Sequence, residues 1–197
     1  MTKNRLEGCS DGVLAVIITI MVLEMKAPHG ADLAALLPLL PVFAGYVLSF
    51  VFISVYWNNH HHLLHSADHV SAGVMWANLH LLFWLSLVPF VTGWMGENDF
   101  AALPVALYGA VQLMAGFGFF LLVRALIRTH GRESRLAAAI GRDIKGKASL
   151  VVYAVAIPVA FFSGAIAFAL YVAIAVMWVV PDRRIERAIA ATRDVSG

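Results

Sequence analysis

Charge is scarce in this chain. Lys, Arg, Asp and Glu make up 13% of its 197 residues, about half the ~25% of an ordinary soluble domain. Cysteine occurs once, at Cys9, which excludes an intramolecular disulfide framework and any multi-thiolate zinc or iron–sulfur centre. There is no Walker A loop, no Gly-x-Gly-x-x-Gly turn, no Gly-x-Ser-x-Gly elbow and no His-Glu-x-x-His pair, so the common nucleotide, hydrolase and zinc-protease signatures are missing. A net charge of +2 names no partner by bulk balance. Hydrophobic residues, in contrast, reach 61%, where ~45–50% is usual. One domain of this length has too little interior to hide them, which excludes a soluble enzyme, a nucleic-acid binder and a disordered chain.

The apolar residues fall into runs near the ~20 residues that a helix needs to cross a hydrocarbon core. Six spans are expected, at about 8–25, 33–57, 74–94, 103–126, 148–162 and 165–180. The stretch from Ala148 to Val180 carries no charge. As one helix it would approach ~50 Å, too long for a ~30 Å core, so a break is placed at Ser163-Gly164. The opening segment holds Arg5, Glu7 and Asp11 near the start of its apolar run and no small-residue cleavage site after it, so it reads as a retained helix rather than a signal peptide. Trp57, Trp76, Trp94 and Trp178 stand near span ends, as interfacial anchors do. Residues 91–96, Val-Thr-Gly-Trp-Met-Gly, superficially resemble a filter loop and are read as a turn.

Lys and Arg set the orientation. Thirteen of the fourteen fall before span one, at the end of span four, in the loop 127–147 or in the tail 181–197, and Lys26 alone falls on the other side. Only an even number of spans gives that division. The expectation is a multi-pass cell-membrane protein, all-α, one domain over 1–197, with both termini cytoplasmic. The segment Thr129–Lys147 reads as a basic amphipathic helix on the inner leaflet.

Span one has two faces. At 100° per residue, Cys9, Gly12, Val16, Ile20 and Leu23 lie within ~40° of one line, with Thr19 at its edge. Glu7, Asp11, Leu14, Ile18, Met21 and Met25 lie opposite. Ionisable groups inside membranes face protein rather than lipid, so Glu7 and Asp11 should face neighbouring helices. A buried Asp11 needs donors, and Ser10, Asn78, His80 and Arg5 are the candidates by depth. Such a cluster either fixes helix packing or relays protons.

The segment from Arg5 to Pro28 resembles the first helix of the transmembrane protein 175 family of potassium channels. That family carries Arg, three residues, then Phe-Ser-Asp. Here the pattern is Arg5, three residues, then Cys9-Ser10-Asp11, with Cys9 in place of the Phe. Trp57, His60 and His61 after span two, and Asn78 and Pro89 in span three, extend the likeness. The resemblance implies a six-helix subunit in a homotetramer, with first helices around a central pore and no cofactor beyond the permeant K+. It implies apolar constrictions at Val16, Ile20 and Leu23, a threonine layer at Thr19 and a structural polar cluster of Arg5, Ser10, Asp11, Asn78, His80, Trp57, His60 and His61. Rings of apolar side chains gate by dewetting.

His60, His61, His62, His65 and His69 crowd the loop expected between spans two and three. Imidazole binds Zn, Fe or Cu and titrates near neutrality, so packing, pH sensing and metal binding are the three readings, and no metal is assigned. Two other functions stand beside the channel: a histidine-dependent membrane metalloenzyme, and a proton-coupled transporter built on Asp11 and His80.

Overall fold

The computed structural model describes residues 2–131 and 143–179. The tail 181–197 and most of the basic amphipathic segment, with their share of the charge asymmetry, lie outside the described residues. In chain order the elements are α1 (Lys3–Leu23), a 3₁₀ helix (Leu33–Leu39), α2 (Leu40–His65), α3 (Ala72–Ser86), α4 (Val88–Glu97), α5 (Ala102–His130), α6 (Ile144–Ala160) and α7 (Gly164–Val179). Among the described residues there is no strand.

Side-chain caps open three of the elements. Asp32 accepts from the Ala35 amide at 3.1 Å, Ser71 from the Val74 amide at 3.4 Å and Asp143 from the Gly146 amide at 2.8 Å; each satisfies an amide that the first helical turn leaves open. Pro41 and Pro89 occupy first-turn positions of α2 and α4, where a missing N–H costs nothing. Pro89 also divides the third apolar rod, Ala72–Glu97. Its ring cannot sit against the carbonyl four residues back, and α3 closes instead with the Leu87 amide on the Trp84 carbonyl at 3.2 Å. The sequence reading treated this rod as one unbroken span.

Among the described residues, four rods are long and apolar enough to cross a membrane: Lys3–Leu23, Leu33–His65, Ala72–Glu97 and Ala102–His130. α6 and α7 are shorter, 17 and 16 residues. The chain between them turns at Phe161-Phe162 and Ser163, at the expected break. Two expectations change. The histidines from His60 to His65 lie on the last turns of α2, not in a loop, because the helix runs eight residues past Trp57. The segment 91–96 is the body of α4, not a turn.

α5 is the hub, packed against α3, α4, α6 and α7, while α2 joins α1, α4 and α7. Small residues allow the closest approaches, as in other membrane bundles. A Cβ on Gly118 of α5 would stand 3.0 Å from the Leu81 Cα of α3, and one on Gly96 of α4 would stand 2.6 Å from the Val42 Cα of α2. The turn from α4 to α5 puts Asp99 and Phe100 in the left-handed region, at φ 48° and 57°. The Phe100 ring packs on Phe168 with centroids 4.5 Å apart, and Gly164 packs against the Phe100 carbonyl.

Candidate functional site

α1 packs with one stripe and leaves the other bare. Leu6, Ser10, Leu14, Ile17 and Met21 are buried. The opposite stripe is uncovered: Val16 is 54% exposed, Ile20 38% and Leu23 79%, with Cys9, Gly12 and Thr19 also exposed. The Thr19 hydroxyl donates to the Val16 carbonyl at 2.9 Å. That satisfies its proton within the helix and leaves the oxygen facing outward as an acceptor.

The buried stripe is pinned at its N-terminal half by a polar seam. Lys3 Nζ donates to the carbonyls of His65 at 3.0 Å and Ala67 at 2.8 Å, a cation on the open carbonyls at the C-terminal end of α2. Glu7 meets His61 Nδ1 at 2.9 Å. Asp11 accepts from Trp57 Nε1 at 3.0 Å. Ser10 donates to the Leu6 carbonyl and accepts from Asn78 Nδ2, each at 2.9 Å. Asn78 Oδ1 is 2.7 Å from His60 Nε2. An amide oxygen only accepts, so His60 carries its proton on Nε2. Residues 3, 7, 10 and 11 follow the spacing of one helix face, and α1 is thereby tied to both α2 and α3.

Of the residues expected in the cluster, Ser10, Asp11, Asn78, Trp57, His60 and His61 come together. Two do not. Arg5 is exposed, with no polar partner among the described residues. His80 lies against α5, its Cδ2 3.3 Å from the Cβ position of Gly118 and its Nε2 buried with no hydrogen-bond partner among the described residues. Two residues separate it from Asn78, which turns it ~200° around α3. Trp57 is therefore more than an interfacial anchor, since its indole holds Asp11.

The histidines divide among separate tasks. His60 serves Asn78 and His61 serves Glu7, while the His69 ring lies tilted against His130 with centroids 4.6 Å apart. His130 Nε2 accepts the backbone amides of Asp68 and His69 at 3.0 and 3.4 Å, tying the α2–α3 link to the end of α5. Among the described residues no three His, Cys, Asp or Glu side chains are grouped to hold a metal ion.

A second buried seam was not anticipated. Gln112 donates to the Tyr108 hydroxyl at 3.0 Å, which is 3.0 Å from Ser49 Oγ; Ser49 Oγ is 2.7 Å from Thr92 Oγ1, and Thr92 donates to the Val88 carbonyl at 2.7 Å. It joins α5, α2 and α4 beside the Pro89 break. The sequence signal for it was Tyr108 and Gln112 four apart on one face of an apolar run.

The sequence model of the family described as "Endosomal/lysosomal potassium channel TMEM175" matches residues 5–89, the stretch that holds α1 and its clasp. A potassium channel of Chryseobacterium sp. (strain P1-3) is 47% identical over 189 residues, 96% of this chain and 98% of that one. The chain belongs to the TMEM175 family. A potassium channel of Streptomyces collinus is 30% identical over 178 residues, 85% of this chain and 86% of its own. The crystal structure of a lysosomal potassium-selective channel TMEM175 homolog from Chamaesiphon minutus superposes with a TM-score of 0.79 at 26% identity, covering 90% of this chain and 96% of that one. TMEM175 membership places this membrane protein in a family of potassium channels, not of enzymes, and sets aside the metalloenzyme reading and the transporter reading built on Asp11 and His80.

Proposed function

We propose that this TMEM175-family chain conducts K+ passively across the cell membrane, through a pore lined by α1 at the centre of a homotetramer. The observation that carries this reading is the bare stripe of α1. A single subunit leaves Val16, Ile20 and Leu23 uncovered while the other side of the same helix is fully packed. Four such stripes facing one axis would cover one another and enclose a narrow apolar lumen. Val16, Ile20 and Leu23 are then the constrictions, whose hydration decides conduction, and Thr19 offers a ring of oxygens to a partly dehydrated cation. The channel needs no resident cofactor.

Six spans serve this arrangement, with both termini cytoplasmic. α6 and α7, ~26 and ~24 Å long at ~1.5 Å per residue, are short for a ~30 Å core and would be met by local thinning. The clasp of Ser10, Asp11, Asn78, Trp57, His60 and His61 acts as structure, setting the rotation of α1 so that its stripe faces the axis.

Flux from proteoliposomes under matched K+ and Na+ gradients tests the reading. Wild type passes K+ faster than Na+, Leu23→Ala raises total flux and Thr19→Ala lowers the K+/Na+ ratio. An assembled wild-type oligomer that passes neither ion refutes it.

A further inference from the structure

A cavity of about 230 Å³ lies between α2, α5 and α6, away from the bare stripe of α1. Its walls are aromatic: Phe52 and Tyr56 from α2, Phe119 and Phe120 from α5, Tyr153 from α6 and Trp178 from α7. Gly116 leaves the space open, since a Cβ there would stand 3.0 Å from Leu150 Cδ2 and 3.6 Å from the Tyr56 hydroxyl.

The polar groups in this cavity are left over. The Tyr56 and Tyr153 hydroxyls have no polar partner among the described residues, and both oxygens border open space rather than being sealed in the core. A phenol whose body is packed normally finds a partner for its hydroxyl. At the end beside the start of α6, the cavity is lined by Asn59 and Lys147, whose side chains also have no polar partner among the described residues. Asp143 stands at the same end, but its carboxylate caps the Gly146 amide at 2.8 Å. Lys145 reaches the Met177 carbonyl at 3.2 Å. Among the described residues, the one carboxylate lining this end is engaged as a cap, so the Lys147 ammonium stands open beside the N-terminus of α6.

We infer that this cavity binds an anionic membrane phospholipid, taking one acyl chain among the aromatic rings and the phosphate at Lys147 and Asn59. The volume is about half as large again as the ~150 Å³ apolar cavity that accepts benzene, so it takes a segment of one chain and not two. Lipid tails are as apolar as the cavity walls, so burying the chain discriminates little. Selection comes from the headgroup, as in other basic pockets between membrane helices. Tyr56 lies three residues from Asn59, ~4.5 Å deeper along α2. That is the level of the glycerol ester carbonyls, the acceptors its hydroxyl lacks. The inference stands on residence in a membrane and not on conduction.

The test reconstitutes the full chain with phosphatidylglycerol bearing a photoactivatable diazirine partway along one acyl chain, and separately with the matching phosphatidylcholine. Crosslinked residues are then mapped by peptide mass spectrometry. Expected is several-fold enrichment of label at Tyr56, Phe119 and Tyr153 with phosphatidylglycerol over phosphatidylcholine. Lys147→Gln abolishes the headgroup preference. Leu150→Trp fills the cavity and abolishes its labelling, while labelling at exposed Val155 and Phe162 persists and reports an inserted, folded protein. Cavity labelling equal for the two lipids, or no denser than at Val155 and Phe162, overturns the inference.

Discussion

Replacing Asn78 by Leu removes the centre of the α1 clasp with little change in volume. Asn78 gives Ser10 a donor and His60 an acceptor, at 2.9 and 2.7 Å, and Ser10, Asn78 and His60 are all essentially inaccessible. Two hydrogen bonds disappear, each worth about 0.6–2 kcal/mol between membrane helices. His60 Nε2–H is left buried without an acceptor, at about 1–3 kcal/mol. The Ser10 hydroxyl still donates to the Leu6 carbonyl, so its loss is small. The sum, allowing for overlap between the terms, is about 2–4 kcal/mol, which lowers the melting temperature by about 4–16 °C for a chain of this size. The assay is the fraction of assembled protein surviving heating in detergent, read by size-exclusion fluorescence. A second variant separates the hydrogen bonds from packing. His60→Phe removes the stranded donor, so the pair Asn78→Leu with His60→Phe should be more stable than the sum of the single losses by about 1–2 kcal/mol. Strict additivity, or an Asn78→Leu melting temperature equal to wild type, refutes the argument that the seam holds α1.

Trp57→Phe keeps the ring and loses the bond to Asp11; it should lower the melting temperature modestly, by about 1 kcal/mol, and change K+ flux more than it changes stability, both read on the same preparation. Tyr108→Phe removes the hydroxyl between Ser49 and Gln112. Gln112 Oε1 already has no partner, so its amide is then stranded at about 1–3 kcal/mol, and thermal survival should fall accordingly. Gly164→Ala forces a Cβ onto the Phe100 carbonyl and should destabilise by about 1–3 kcal/mol, whereas Gly12→Ala, with open space at its Cβ position, should leave monomer folding intact. Lys26→Ala breaks an exposed ion pair with Glu97, 3.2 Å apart, and should leave melting unchanged, as surface pairs usually do.

The two-sidedness of α1 was legible because helical periodicity alone separates Val16, Ile20 and Leu23 from Leu14 and Met21. The same arithmetic erred by a few residues wherever an element's end was decided by something other than apolar content. α2 outruns its apolar segment because His61 and the His65 carbonyl find partners on α1, and His60 finds Asn78 on α3. The break at Leu87 is not visible in apolar content, which runs on through Pro89; the proline ring, which cannot continue the helix, makes it a helix start. His80 was misplaced because depth in the membrane was used without azimuth. Asn78 and His80 are at similar depth but on opposite sides of α3, and only the packed bundle shows which side meets α1. The Ser49–Thr92–Tyr108–Gln112 seam shares this character: the spacing of four pairs Tyr108 with Gln112, but Ser49 and Thr92 come from two other helices and no one-dimensional pattern brings them in.

The anchoring along α1 is uneven, and that bears on how a pore built from it would switch. Among the described residues, every side-chain polar link from α1 to another helix involves residues 3 to 11. Among the described residues, Gly12 to Leu23 meets other helices through apolar contacts, with Leu14, Ile17 and Met21 in the core, and the Thr19 hydroxyl turns back on its own backbone. Hydrogen bonds are directional and fix rotation, whereas dispersion between smooth apolar faces depends weakly on azimuth. The proposed constrictions at Val16, Ile20 and Leu23 therefore all sit on the C-terminal half of α1, beyond the hydrogen-bonded clasp. A small twist of that half would alter the radius and wetting of an apolar ring without breaking a hydrogen bond to another helix, while the clasp keeps the stripe in register. Conduction in this architecture should accordingly respond to substitutions at Ile17 and Met21, which brace the C-terminal half from behind, more steeply than overall stability does.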